Sequence, residues 1–251
     1  MTAPARTIAL TLSYEGTGFA GWQRQPGGRT VQAVIEDVLA VIDEQPVTAI
    51  AAGRTDAGVH ALGQVVSAEV RNHLPPDVLV RAINVRLPED VRVLSATDAP
   101  SGFDARRDAR AKVYRYTMAL GADPGPFVRR VVWHIPQRLN VAAMQEAAAA
   151  LVGEHDFGAF QAAGGDLRSS VRRLSKSVLI DEPGTPRYLR YQVTGSGFLR
   201  HMVRNIVGTL VDIGKHRWPP EEIAAIVASR SRQRAGPTAP PQGLVLVKVL
   251  Y

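Results

Sequence analysis

Residues 47–70 read VTAIAAGRTDAGVHALGQVVSAEV, in which two apolar runs enclose a glycine-flanked turn. The runs, Val47–Ala51 and Ala61–Val70, are rich in small and β-branched residues and predict two strands. The turn, Gly53–His60, carries a single carboxylate, Asp56. An aspartate between glycines usually shapes a turn, but loops between rigid strands are also where catalytic residues concentrate. The stretch alone therefore favours a structural role for Asp56 and leaves a catalytic role open.

The sequence on both sides of this stretch predicts further strands and helices. Apolar residues recur at helical spacing from Val31 to Ile42, and Thr30 is a candidate N-cap. The first half is predicted to contain strands Thr7–Tyr14, Val47–Ala51, His60–Val70 and Val91–Thr97, and helices Val31–Ile42 and Pro76–Leu87. The order β-α-β-β-α-β is that of the ferredoxin-like unit, which is also the topology of the common RNA-binding sheet.

The second half follows a similar outline. It is predicted to contain strands Val113–Ala119 and Val128–Ile135, helix Asn140–Val152, a hairpin of Val171–Asp181 with Arg187–Gly195, helices Phe198–Gly214 and Glu221–Ser229, and a closing strand, Gly243–Tyr251. The sequence thus predicts an α+β protein with two halves, 1–105 and 106–251, joined near Pro100–Ala111. The halves share no sequence-level repeat, so the predicted duplication is one of architecture.

The charge of the chain indicates a polyanionic partner. Its 251 residues include 30 Lys and Arg against 23 Asp and Glu, a formal net charge of +7. Arginine binds phosphate through two hydrogen bonds and stacks on bases. A genome that favours arginine codons would also raise the charge, but clustering of the arginines favours nucleic acid. The clusters are Arg106, Arg107, Arg110, Lys112 and Arg115; Arg168, Arg172 and Arg173; Arg200 and Arg204; and Arg230, Arg232 and Arg234.

The composition also excludes several classes of protein. There is no cysteine, which rules out disulfides, thiol nucleophiles and thiolate zinc sites and suits a reducing cytoplasm. The six histidines show no metal-ligand spacing, so we expect no metal. No apolar run reaches the ~18 residues of a transmembrane helix, and the N-terminus lacks the features of a secretory signal. We therefore expect a soluble cytoplasmic protein with no membrane partner.

Gly16–Gly21 matches the pattern G-x-G-x-x-G and follows a predicted strand, as a dinucleotide-binding loop would. That fold needs a helix to begin inside the motif, whereas here a proline and further glycines follow before any helix. We therefore reject a dinucleotide site. The aromatic residues of the loop and its two arginines, Arg24 and Arg29, suit RNA binding. Alternatively, this is an ordinary surface loop with Trp22 packed inward.

Three distant segments accompany the Asp56 turn: Lys112–Tyr116, Phe198–Asn205 and Thr238–Val247. The first is an alternating strand that places Tyr114 and Tyr116 on one face. The second opens a predicted helix with Arg200 and Arg204 one turn apart. Taken singly, each segment has a structural explanation: a tyrosine pair on a sheet, a basic helix end and a proline-rich turn.

Taken together, the segments resemble one family. In chain order they are Tyr14–Gln23, Gly53–His60, Phe103–Arg106, Tyr114–Tyr116, Gly153–Phe157, Phe198–Asn205 and the C-terminal run. The same order is seen in the TruA family of tRNA pseudouridine synthases, and the resemblance spans nearly the whole chain. The departures are small: Glu15 stands where an aspartate is common, and Val245 where an aromatic residue often lies.

The resemblance implies both a fold and an activity. Two ferredoxin/RRM-like halves would form one extended mixed antiparallel sheet flanked by helices, with the active-site cleft between the halves. The protein would work as a homodimer on the anticodon stem-loop of tRNA, at nucleotides 38–40. It would isomerise uridine to pseudouridine by breaking the C1′–N1 bond, rotating the uracil and rejoining it through C5, and no cofactor would be needed.

The resemblance also assigns roles to individual residues. Asp56 would be the essential carboxylate, which attacks C1′ of the sugar or C6 of the base, or acts as a base toward a glycal-like intermediate. The guanidinium of Arg204 would keep that carboxylate ionised. Tyr114 would stack on the uracil and accept or relay the C5 proton. Substrate-binding residues are expected at Arg54, Tyr114, Arg24 and Arg200. No role beyond a structural one is expected for His60.

Two other hypotheses compete with a synthase. A non-catalytic RNA-binding protein of two RRM-like units would share the fold, but it lacks the aromatic signature of an RRM and has no use for an aspartate beside paired arginines. A glycosidase with two carboxylates would need a second acid near Asp56, and the sequence shows none.

Overall fold

The computed structural model describes residues 5–163 and 169–251. Within these residues ten β-strands and five α-helices follow one another, and the predicted α+β class is confirmed. The chain divides into two compact units. The first consists of Met1–Arg110 together with Leu246–Tyr251, and the second of Ala111–Val245.

The first unit is built on four antiparallel strands and two helices. They are β1 (Arg6–Tyr14), α1 (Val31–Asp43), β2 (Ala49–Ala51), β3 (His60–Val70), α2 (Pro76–Asn84) and β4 (Val91–Asp98). Strand β1 lies between β3 and β4, and β2 pairs with the far end of β3. The strand order β4-β1-β3-β2 is that of the predicted ferredoxin-like unit. The apolar stripe of α1 faces the core, because Ile35 and Leu39 are fully buried.

The remaining elements lie in the second unit, apart from most of the last strand. They are β5 (Ala111–Leu120), β6 (Trp133–Ile135), α3 (Val141–Ala149), β7 (Gly153–Asp156), β8 (Val171–Glu182), β9 (Arg187–Gly195), α4 (Met202–Gly214), α5 (Glu222–Ser229) and β10 (Leu244–Leu250). Strands β5, β9, β8 and β7 are antiparallel neighbours in that order, and β6 runs parallel to β5. Most of β10, from Leu246 onward, belongs to the first unit.

Strand β10 approaches β3 closely in the first unit. A Cβ atom added at Gly63 of β3 would lie 2.6 Å from the carbonyl oxygen of Val247. The hydroxyl of Tyr251 donates a hydrogen bond to the carbonyl of Ala105 at 2.8 Å, and the ring of Tyr251 lies 5.2 Å from that of Phe103. These contacts anchor the C-terminal residues to the first unit.

The start of α4 differs from the prediction. The helix begins at Met202 and not at Phe198, because His201 adopts a left-handed conformation with φ of 60°. Arg200 therefore lies in the turn before the helix, and its predicted position one helical turn from Arg204 is wrong. There are two further differences. The strand predicted at Val128–Ile135 is only three residues long, and the polar strand β7 was not predicted.

Candidate active site

The Asp56 loop, Gly53–His60, leads directly into β3 in the first unit. Asp56 is partly exposed, and Arg54 is exposed. The carbonyl of Asp56 accepts a hydrogen bond from the amide of Val59 at 3.1 Å. Gly58 has a φ of 76°, in the left-handed region that favours glycine. The loop is therefore a tight turn in which Arg54 is exposed and Asp56 is partly exposed.

Thr55, the residue before Asp56, is held by hydrogen bonds of both its side chain and its main chain. Thr55 is buried, and its hydroxyl shares a 2.8 Å hydrogen bond with the hydroxyl of Tyr14 on β1. Its carbonyl accepts a hydrogen bond from the amide of Trp22 at 3.0 Å. At the base of the loop, the side-chain amide of Gln64 donates to the carbonyl of Gly53 at 2.6 Å. The chain on this side of Asp56 is thus fixed by both side-chain and main-chain bonds.

Tyr14 supports the loop as a neutral hydroxyl. Burial raises its pKa to about 12, although its hydrogen bonds with Thr55 and Gln64 act in the opposite direction. A phenol with so high a pKa keeps its proton at neutral pH. Tyr14 can therefore serve as a hydrogen-bonding support but not as a base.

The glycine-rich segment after β1 does not open a helix, since α1 begins only at Val31. The segment thus lacks the helix that a dinucleotide-binding loop of this kind requires. Phe19 and Trp22 are buried, with 4% and 2% of their surfaces exposed. Trp22 is therefore packed inward, as in the alternative of an ordinary surface loop, and these two rings offer almost no exposed surface to bases.

Both arginines near this segment make ion pairs within the first unit. Arg29 lies over the ring of Phe19, 4.1 Å from its centroid, and makes two hydrogen bonds with Asp90, at 2.6 and 2.8 Å. Arg24 donates to Glu36 at 2.9 Å and to Asp37 at 2.8 Å. The guanidinium of Arg24, expected to bind substrate, is thus already bound to two carboxylates.

In the second unit Tyr114 lies on β5 with its ring held in place. It shares a buried sheet face with Tyr116, as predicted, and only 7% of its surface is exposed. The ring of Phe198 meets it edge to face, with centroids 5.0 Å apart. Tyr116 donates a hydrogen bond to the carbonyl of Pro240 at 2.7 Å, and burial raises its pKa.

Arg204 is the only residue of α4 that is not buried. Its Nε donates to the carbonyl of Ala239 at 2.8 Å, and the amide of Ala239 donates to the carbonyl of Arg204 at 3.1 Å. Two hydrogen bonds therefore tie this arginine, by main chain and side chain, to the proline-rich segment before β10. Arg200, by contrast, is exposed and donates to the carbonyl of Ala163 at 3.1 Å.

A buried polar network beside Arg204 was not predicted. Asn205 is fully buried; its Oδ1 accepts from Thr238 Oγ1 at 2.7 Å and from Arg232 at 3.2 Å. Its Nδ2 donates to the carbonyl of Phe160 at 2.8 Å. A Cβ atom at Gly208 of α4 would overlap the carbonyl oxygen of Pro237. The sequence signal was present, because Asn205 interrupts an apolar helix next to the predicted arginine.

The arginine cluster near the C-terminus is largely engaged within the second unit. Arg230 pairs with Asp156 at 2.9 Å, and Arg234 pairs with Glu222 at 2.7 Å. Arg232 belongs to the network around Asn205, and burial lowers its pKa. Arg168, in another predicted cluster, lies outside the described residues.

Among residues 5–163 and 169–251, no group of three or more His, Asp or Glu side chains is arranged to hold a metal ion. No helix in the same part of the chain is long and apolar enough to cross a membrane.

The chain is similar to known proteins along almost its entire length. A family model described as tRNA pseudouridine synthase matches residues 11–107 and 147–251. A tRNA pseudouridine synthase A from Geobacter sulfurreducens is 46% identical over 246 residues, which cover 98% of this chain and 100% of the relative. Proteins of the same name from Moorella thermoacetica and Myxococcus xanthus are 45% and 44% identical, covering 97% of this chain in each case and 99% and 91% of the relatives. The chain therefore belongs to the tRNA pseudouridine synthase family.

Proposed function

We propose that the protein isomerises uridine to pseudouridine in the anticodon stem-loop of tRNA, at nucleotides 38–40, with Asp56 as the essential carboxylate. The observation that carries this proposal is the Asp56 loop. It is a tight turn with a partly exposed aspartate, and the residues before and after that aspartate are hydrogen-bonded to other segments of the first unit. Family membership supplies the reaction class, and the loop supplies a side chain suited to it.

The reaction needs no oxidant and no co-substrate. The C1′–N1 bond breaks, the uracil rotates and a C1′–C5 bond forms, while C5 loses a proton and N1 gains one. Asp56 attacks C1′ or C6, or removes a proton to give a glycal-like intermediate. Each of these routes requires an ionised carboxylate, and a neighbouring guanidinium favours that form.

We assign that guanidinium to Arg204. Its Nε donates to the carbonyl of Ala239, which orients the group. Tyr114 is assigned to stack on the uracil and to accept or relay the C5 proton. Its contact with Phe198 holds the ring in one orientation, and base stacking of this kind is worth on the order of 1–3 kcal/mol.

Three further arginines are proposed to hold the RNA. Arg54 and Arg200 are exposed and stand near Asp56 and Arg204 in sequence. Arg24 is also exposed, but a phosphate would have to displace Glu36 and Asp37 from its guanidinium. We therefore expect Arg24 to contribute less to binding than the other two arginines. The target nucleotide must leave its stack, which costs a few kcal/mol.

We further propose that the protein is a homodimer and acts in the cytoplasm, where its substrate is found. The absence of cysteine in the chain agrees with a reducing compartment. Sedimentation with and without tRNA would measure the assembly.

The decisive experiment is tritium release from tRNA that carries uridine tritiated at C5. The wild-type protein should release tritium. Asp56→Asn should bind tRNA but release no tritium. Asp77→Asn makes the same chemical change at an exposed helix position and serves as the matched control with full activity. Full activity of Asp56→Asn would contradict the mechanism. Binding without release by the wild type would instead favour the non-catalytic RNA-binding alternative.

A further inference from the structure

The segment Gly16–Trp22, which we call the clamp loop, is bonded to the Asp56 loop at three points. The amide of Trp22 donates to the carbonyl of Thr55 at 3.0 Å, and the amide of Gly58 donates to the carbonyl of Phe19 at 3.3 Å. The amide of Gly16 donates to Nδ1 of His60 at 2.9 Å. The first two bonds involve residues on either side of Asp56, so the clamp loop holds the backbone before and after the carboxylate.

Two glycines of the clamp loop permit this contact. A Cβ atom at Gly21 would lie 2.8 Å from the carbonyl oxygen of Thr55 and 3.2 Å from main-chain atoms of Asp56 and Ala57. A Cβ atom at Gly16 would overlap the carbonyl oxygen of Val59. The motif that resembles a dinucleotide loop thus uses its glycines for a close approach between two stretches of the protein's own backbone.

His60 provides the third point of contact. Because the amide of Gly16 donates to Nδ1, that nitrogen carries the lone pair, and the ring proton of the neutral imidazole lies on Nε2. Glu15 Oε1 is 3.5 Å from the same Nδ1. An ion pair there would require a proton on Nδ1, which the donated hydrogen bond excludes. The imidazole is buried and serves as an acceptor at the junction between the Asp56 loop and β3.

We propose that Gly16, Gly21 and His60 are positioning residues that fix where the carboxylate of Asp56 meets the uridine. The proposal rests on Asp56 being the essential carboxylate. Reaction requires the approaching atoms to be held at about 3–3.5 Å, and a displacement of about 1 Å costs on the order of 100-fold in rate. The clamp loop contacts main-chain atoms only one residue away from Asp56, so its displacement moves the carboxylate directly.

The chain offers a matched pair of glycines for the test. Gly21 and Gly27 both have positive φ, of 99° and 82°, so alanine introduces backbone strain at each. At Gly27, however, a Cβ atom would meet nothing within 4 Å. We expect Gly21→Ala to lower kcat by about 100-fold with little change in the Kd for tRNA. Gly27→Ala introduces the strain without the contact, so it should lower the melting temperature less and keep the wild-type kcat. Equal kcat values in the two folded variants would overturn the proposal.

A second pair of variants decides the question if Gly21→Ala does not fold. His60→Asn keeps an acceptor near the position of Nδ1, whereas His60→Leu keeps the bulk of the side chain without an acceptor. We expect kcat to be largely retained in His60→Asn and lost in His60→Leu, with tRNA binding unchanged in both. A purely structural role for His60 would give the two variants the same kcat, and that result would contradict the proposal.

The failure of this inference can be distinguished from failure of the proposed function. If Asp56→Asn remains active, the catalytic assignment is wrong whatever the glycine variants do. If Asp56→Asn is inactive while each pair of variants shows equal kcat, the catalytic assignment stands and only the positioning role is wrong.

Discussion

Asp56 and Arg204 are held in their respective units by different kinds of bonds. The Asp56 loop is fixed largely through main-chain contacts with the clamp loop, which require glycines. Arg204 is fixed by the carbonyl of Ala239, within a segment held by the buried side chains around Asn205. The first arrangement is sensitive to added atoms, and the second to the loss of polar groups. Substitutions can therefore test the two separately.

Of the four substitutions that test this comparison, Arg204→Ala is expected to have the largest effect. Loss of the guanidinium should lower kcat by about 100-fold, the cost of removing one preorganised donor from an active site, and should lower tRNA binding much less. Tritium release and filter binding measure the two quantities. Arg129→Ala, which removes an arginine paired with an exposed aspartate, is the control. A loss of binding alone would make Arg204 a phosphate contact and not the partner of Asp56.

A smaller effect, on folding, is expected for Asn205→Leu. The substitution keeps the volume of the side chain but removes the acceptor for Thr238 and Arg232 and the donor to the carbonyl of Phe160. Burying unsatisfied polar groups should lower the free energy of unfolding by about 2–3 kcal/mol, as measured by urea denaturation. A loss below the error of the measurement would show that this network does not hold the segment.

Thr55→Val tests whether main-chain bonds alone hold the Asp56 loop in place. The variant loses the hydrogen bond with Tyr14 but retains the carbonyl that accepts from Trp22. We expect a cost of about 1 kcal/mol in the free energy of unfolding and a nearly unchanged kcat. A large fall in kcat would mean that side-chain bonds also position Asp56 and would weaken the contrast between the two regions.

The smallest effect is expected for Asp90→Asn, which removes the partner of Arg29. The hydrogen bond from Arg29 lowers the pKa of Asp90, so the pair stabilises the fold above the carboxyl's unfolded pKa and this contribution is lost as the pH falls through the folded value. Because both groups are partly exposed, we expect a loss of under about 1 kcal/mol at pH 7. The difference from the wild type should narrow below about pH 4, and a constant difference down to pH 2 would contradict this assignment.

The sequence predicted the elements that have a clear apolar pattern. The run of small and β-branched residues in β3 and the apolar stripe of α1 predicted both elements to within a residue. The start of α4 could not be predicted, because the left-handed turn at His201 leaves no mark in the apolar period. Strand β7 is short and polar, and it is a strand only because it pairs with β8.

The candidate site could likewise be predicted only in part from the sequence. Asp56 stood out because glycines and an arginine surround it in sequence. The clamp loop was recognised as a motif, but its contact with the Asp56 loop joins residues about forty positions apart, and no local pattern encodes such a contact. The ion pairs of Arg24 and the buried position of Trp22 likewise depend on packing. The roles of Asp56, Arg204 and Tyr114 remain predictions that the experiments above test.

Strand β10 has a consequence for the order in which the chain can fold. Residues from Leu246 onward complete the first unit, yet the ribosome makes them only after the whole of the second. While the second unit is being synthesised, the end of β3 near Gly63 therefore lacks its neighbour β10, although domains generally fold as they emerge. An exposed strand edge is a site of mispairing.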